Sequence, residues 1–63
     1  MKMLQLTSPR GNRFFLSPLV IADVWERLDG EPGSTIYIKG GEESLSVRED
    51  AATVATLFGD ATE

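Results

Sequence analysis

The sequence predicts an α+β fold: an antiparallel β-meander of four to five short strands packed by one C-terminal α-helix. Three observations predict it. Residues 35–39 and 44–47 alternate apolar and polar side chains around two glycines, which is typical of a β-hairpin. Asp50 precedes an apolar stripe at helical spacing. Residues 1–16 carry a second hairpin pattern, with alternating residues before a turn and aromatic residues after it.

The N-terminal hairpin is predicted from residues 3–7 and 13–16. Residues 3–7 alternate, so Leu4 and Leu6 point to one side. Residues 9–12 are suited to a turn, because proline favours its first central position and glycine and asparagine tolerate positive φ. We expect Phe15 on the apolar face with both leucines.

Residues 19–28 fit two structures. A helix capped by Ser17, with Pro18 at its first position, would align Ile21, Val24, Trp25 and Leu28. In a strand from residue 20, the side chains of Val20, Ala22 and Val24 would instead lie on one face, and Trp25 would point outward. We favour the strand, because its residues have high β-propensity and residues 35–39 need an antiparallel neighbour. The helix stays open as the alternative.

The second hairpin leads into the helix. Ile36 and Ile38 should face the core and Tyr37 the other side. Gly40-Gly41 predicts a tight turn with positive φ at both glycines. Asp50 should cap a helix whose stripe is Ala51, Val54, Ala55 and Phe58, with Leu57 beside it. Gly59 should end this helix, which makes residues 1–59 one domain and residues 60–63 a frayed acidic tail.

Composition excludes several kinds of chemistry. The 63 residues contain no cysteine and no histidine. We therefore predict no disulfide, no common zinc ligand, no metal site and no cofactor. Ten acidic against six basic residues give a net charge of −4, which argues against nucleic acids and anionic membranes as partners. Without a long apolar run for a membrane span or signal peptide, we expect a cytoplasmic protein.

The carboxylates suggest structure rather than catalysis. Glu42 and Glu43 are neighbours on an extended segment, so their side chains diverge. Glu49 could accept from a backbone N–H or pair with Arg13 or Arg48. Because no convergent polar set is apparent, we predict that the protein is not an enzyme.

The aromatic residues point to binding. Trp25 and Tyr37 would both face outward if residues 19–28 form a strand, and such residues are enriched at interface hot spots. With Phe14 as a third anchor, they predict a protein-interaction or accessory module that binds another protein or associates with itself, as a dimer, through its outer sheet face or an edge strand. A plain monomer stays open as the alternative. The alternative is a nucleic-acid-associated regulator that uses a basic cluster on the first hairpin: Lys2, Arg10 and Arg13.

Most of these elements also occur together in a known family. The matching residues are Leu4 and Leu6, Gly11-Asn12, residues 14–16, Ser17-Pro18, Val20-Ile21, residues 35–38, Gly40-Gly41 and residues 47–50. Along nearly its whole length, the chain resembles the FlbD-type family of small bacterial flagellar proteins, to which SwrD also belongs.

The resemblance implies an accessory role in flagellar assembly or motor output, without catalytic residues, and a bacterial or prophage origin. The chain departs from the family pattern in its Gly-Asn order at residues 11–12, its longer loop at residues 29–33 and its acidic rather than basic C-terminal end. A bacterial or prophage protein that shares only the shape of the family is the alternative.

Overall fold

The computed structural model describes residues 2–63, which form two antiparallel sheets packed against one C-terminal helix. The elements are β1 (Leu4–Thr7), β2 (Arg13–Leu16), a 3₁₀ helix (Pro18–Val20), β3 (Ile21–Glu26), β4 (Ser34–Ile38), β5 (Ser44–Val47) and α1 (Ala51–Thr62). β1 pairs with β2, and the second sheet has the order β3-β4-β5. The predicted α+β meander is confirmed, and its core consists of Leu4, Leu6, Ile21, Ile36, Val47, Val54 and Ala61.

The register of the first hairpin reverses the prediction for its two phenylalanines. Leu6 pairs with Phe14, so Phe14 shares the core face, whereas Phe15 pairs with Gln5 and is 64% exposed. The expected core position of Phe15 is therefore wrong. The loop determines this register, and a slip of one residue moves every side chain to the other face. The turn itself is confirmed, since the N–H of Gly11 donates to the Ser8 carbonyl at 2.9 Å across Pro9.

The segment after Ser17 is a strand preceded by one helical turn. Ser17 Oγ accepts from the N–H of Leu19 at 3.2 Å and caps the 3₁₀ helix, and β3 begins at Ile21. The pairing with β4 shifts between Ile21 and Asp23, as in a β-bulge. Because of this extra residue, Ile21 is buried and Ala22 is exposed, so the expected common face of Val20, Ala22 and Val24 is wrong.

The connection from β4 to β5 is wider than the predicted two-residue turn. The N–H of Ile38 donates to the Glu43 carbonyl at 3.1 Å, and five residues separate the strands. Gly40 has a φ of +78°, but Gly41 does not have a positive φ. The prediction of positive φ at both glycines is therefore wrong, because a longer loop needs the left-handed conformation at only one position.

The two sheets are joined where β1 and β5 end. The N–H of Arg48 donates to the Thr7 carbonyl at 2.8 Å, and the N–H of Thr7 donates to Glu49 Oε1 at 2.9 Å. The buried Ser34 hydroxyl donates to the Glu49 carbonyl at 2.8 Å. Gly33 lies directly against the Val47 carbonyl at the same junction. This network holds the hairpin onto the three-stranded sheet.

α1 begins as predicted and ends later than predicted. Asp50 Oδ1 accepts from the N–H of Thr53 at 2.8 Å, which confirms the cap. The helix then continues through Gly59 to Thr62. The predicted stop at Gly59 and the frayed tail are wrong, because Ala61 extends the apolar stripe into the core and its carbonyl accepts from the N–H of Lys2 at 3.0 Å. Burial and this bond outweigh the roughly 1 kcal/mol by which glycine disfavours a helix.

Candidate interaction surface

The register of the three-stranded sheet brings Trp25 and Tyr37 together on its outer face. Tyr37 pairs with Asp23, and Trp25 pairs with Thr35. Side chains two residues apart on a strand share a face, so both aromatic rings lie diagonally across β3 and β4 on one side. The outward orientation predicted for both residues is confirmed.

The aromatic rings form an exposed apolar surface with one leucine. Trp25 is 57% exposed, Tyr37 42% and Leu28 94%. These three side chains, which we call the aromatic face, line one shallow depression of about 270 Å³ together with Asp23. Sequence reasoning considered Leu28 only as part of a helical stripe. Leu28 lies two residues beyond the end of β3 and before the turn at Asp29, and this position is the sequence signal that could have assigned Leu28 to the aromatic face.

The charges around the aromatic face are mostly acidic. Asp23 and Glu26 are exposed on β3. Arg27 pairs with Asp29 at 2.5 Å, and Asp29 also accepts from the N–H of Glu31. The bond from Arg27, followed by that from Glu31, lowers the pKa of Asp29 below its ordinary value. Asp29 therefore stays ionised and neutralises Arg27, which leaves Asp23 and Glu26 as the charges that a partner would meet.

Phe14 does not belong to this surface. It is partly buried and packs against the core from the other sheet, so its expected role as a third anchor is corrected. Phe15 is the exposed aromatic residue of the first hairpin, on the opposite strand face from Phe14. The adjacent phenylalanines could not be distinguished from sequence, because either assignment satisfies strand alternation.

The predicted basic cluster is divided between the two ends of the first hairpin. Arg10 lies in the loop and Arg13 pairs with Thr7 at the loop end, whereas Lys2 precedes β1 and its N–H donates to Ala61. Thr7 lies five positions along the chain from Lys2, which is roughly 17 Å in extended backbone. The basic side chain that joins the loop is Arg48, whose Nη2 donates to the Pro9 carbonyl at 3.0 Å. Lys2, Arg10 and Arg13 therefore do not form one cluster.

The carboxylates of the described residues do not converge. No group of three or more histidine, cysteine, aspartate or glutamate side chains within residues 2–63 could hold a metal ion. Glu49 lies at the junction of the sheets. Partial burial raises its pKa, but hydrogen bonding from Thr7 and the charge of Arg48 outweigh that effect and hold the pKa below its ordinary value. Glu49 is thus an ionised carboxylate that accepts a hydrogen bond from a backbone N–H, which is one of the two roles predicted for it.

Within residues 2–63, no helix has the length and apolar character needed to cross a membrane. Comparison of the chain with protein families, curated proteins and solved structures finds no match. The resemblance to the FlbD-type family therefore stays a prediction.

Proposed function

We propose that this chain is a small, non-catalytic protein-interaction module of bacterial or prophage origin that binds a second copy of itself through the aromatic face. The observation that carries the proposal is the exposure of Trp25, Tyr37 and Leu28 on one side of one small sheet. Tryptophan and tyrosine dominate the binding energy of many interfaces. We also propose the cytoplasm as its compartment, since secreted domains of this size commonly depend on disulfides.

The size of the molecule supports self-association. A monomer of 6.9 kDa is expected to expose about 4,000 Å², and this chain exposes 4452 Å². A stable interface covers about 800 Å² on each partner, roughly a fifth of this surface. A second copy presents the same apolar side chains in return, so one contact removes both aromatic faces from water. A small domain with few buried side chains gains stability from this additional burial.

The charge of the chain gives the proposed dimer a characteristic salt dependence. Each copy carries a net charge of −4, and Asp23 and Glu26 lie beside the aromatic face. Two copies therefore repel each other at low ionic strength. At 0.1 M salt, the repulsion between exposed charges more than about 10 Å apart is largely screened. The dimer should therefore become tighter as salt is added.

Sedimentation equilibrium tests the proposal, with Trp25→Ala as the variant and Phe15→Ala as the matched control. Both aromatic side chains are more than half exposed, but Phe15 lies on the other sheet. We expect a concentration-dependent dimer that Trp25→Ala weakens at least tenfold and Phe15→Ala leaves unchanged. A chain that sediments as a monomer up to millimolar concentration, or equal weakening by both substitutions, contradicts the proposal.

A further inference from the structure

We infer that the free edge of β3 and the adjacent side of α1 form a binding site for an extended peptide segment of a partner, in which basic and apolar side chains alternate. The segment would add to the sheet as a fourth strand beside β3. This site goes beyond the proposed self-association, because it uses the backbone edge of β3 and its helix-facing side, and only Trp25 belongs to both this site and the aromatic face.

The backbone groups available at this edge follow from the alternation of hydrogen bonds in antiparallel sheets. The N–H of Ile38 donates to Glu43, on the β5 side, and the N–H of Lys39 donates to Val20, on the β3 side. By alternation, Tyr37 and Thr35 also direct their backbone groups toward β3. Asp23 pairs with Tyr37 and Trp25 pairs with Thr35, so both β3 residues form their backbone hydrogen bonds with β4. The N–H and C=O groups of Val24 and Glu26, which alternate with them, are therefore directed away from the sheet.

Those free groups suit an extended occupant. Among residues 2–63, β3 pairs only with β4, so its other edge carries no strand. The bulge between Ile21 and Asp23 interrupts regular pairing at one end of the strand. Such bulges discourage indiscriminate association of sheet edges. Regular pairing is therefore limited to the end that contains Val24 and Glu26, which suits a short peptide strand.

The side chains beside Val24 favour an apolar residue in the occupant. Directly opposed residues on neighbouring strands place their side chains on the same face. A residue opposite Val24 would therefore point toward α1. A depression of about 210 Å³ lies there, bordered by Ile21, Ala22, Asp23, Val24, Ala55 and Phe58. Because an apolar cavity of about 150 Å³ can hold benzene, this depression has room for one aliphatic side chain.

The opposite face favours basic residues at the neighbouring positions of the occupant. Side chains flanking the apolar residue would lie next to Asp23 and Trp25, both of which are exposed. A carboxylate attracts a guanidinium or ammonium group, and an indole face adds a cation–π interaction. The net charge of −4 acts in the same direction over a longer range. These preferences together define a segment that alternates basic and apolar residues.

A synthetic probe can test the site: an acetylated, amidated and fluorescently labelled heptapeptide that alternates arginine and valine. We expect saturable binding by fluorescence anisotropy at physiological salt, and slower amide hydrogen exchange at Val24 and Glu26. Methylation of the valine nitrogens removes the hydrogen-bond donors and keeps the charge. It should weaken binding at least tenfold, whereas equal binding of the methylated peptide would mean adsorption by charge alone and overturn the inference.

Protein variants test the side-chain part of the site. Ala55→Leu fills the depression and Ala52→Leu is its matched control, since both alanines are exposed on α1 and leucine is compatible with a helix. We expect Ala55→Leu to weaken the probe about tenfold and Ala52→Leu to leave its affinity unchanged, with both variants retaining the circular dichroism of the parent chain. Equal affinities overturn the inference. Amide hydrogen exchange should also be measured without peptide. If exchange at Val24 and Glu26 then slows as the protein concentration rises, a second copy of the chain occupies the edge, and the inference is overturned.

Discussion

Gly33 is the position where a single methyl group should damage the fold most. A Cβ at this residue would lie 2.0 Å from the Val47 carbonyl oxygen and 3.1 Å from its carbon, well inside ordinary contact. The residue also has a φ of +111°, a conformation that side chains disfavour. Gly33→Ala therefore combines a backbone clash with conformational strain at the junction of β4, β5 and the first hairpin.

The cost of Gly33→Ala is large relative to the stability of such a chain. Left-handed backbone costs a non-glycine residue about 1–2 kcal/mol, and overpacking costs roughly 1–3 kcal/mol. The free energy of unfolding of a 63-residue domain is about 3–9 kcal/mol at typical values per residue. A loss of about 2–5 kcal/mol should therefore lower the Tm by roughly 10 °C or more, or leave the chain unfolded.

Gly30→Ala is the matched control for Gly33→Ala. Gly30 has a φ of +79°, and nothing lies within 4 Å of the position its Cβ would take. Its substitution should cost only the conformational strain, about 1–2 kcal/mol. Thermal and urea unfolding followed by circular dichroism measure both variants. Equal losses of stability would refute the clash with Val47, since φ is positive at both glycines but only the Cβ position of Gly33 lies against backbone atoms.

Three further predictions concern other positions. Gly59→Ala should raise the free energy of unfolding by about 0.5–1 kcal/mol, because the residue lies inside α1 with open space around it. An unchanged free energy of unfolding in urea melts would indicate instead that the helix ends at Gly59. Phe14→Ala should destabilise the chain by about 2 kcal/mol, less than the 3–5 kcal/mol of a fully buried phenylalanine, and Phe15→Ala by much less; the reverse order in urea melts would contradict the register of the hairpin. The pKa of Glu49 is lowered despite partial burial, chiefly by the N–H of Thr7, so its contribution to stability is present above the ordinary pKa of about 4.3 and is lost as pH falls through the lower folded value. From about pH 5 downward, the parent chain should therefore lose more stability in urea melts than Glu49→Gln, and parallel pH profiles would show that this bond contributes nothing.

Local signals in the sequence were sufficient for most elements. The turn at Pro9 and the cap at Asp50 depend on residues within three positions of one another, so both could be predicted without tertiary information. β1, β4 and β5 could be predicted from their alternation, whereas β2 and β3 were predicted from the β-propensity of their residues. Within β3 and β4 that alternation also predicted that Trp25 and Tyr37 face outward, because parity along a strand determines which side a residue takes.

Tertiary structure decided the features that depend on two segments at once. Which phenylalanine enters the core was set by the pairing of β1 with β2, since both choices alternate equally well along β2 alone. The end of α1 was set by the burial of Ala61, a residue that local propensity alone would leave in a frayed tail. The free edge of β3 and its groove beside α1 also arise only from assembly, because a strand has an unpaired edge only in relation to the strand that pairs with its other side.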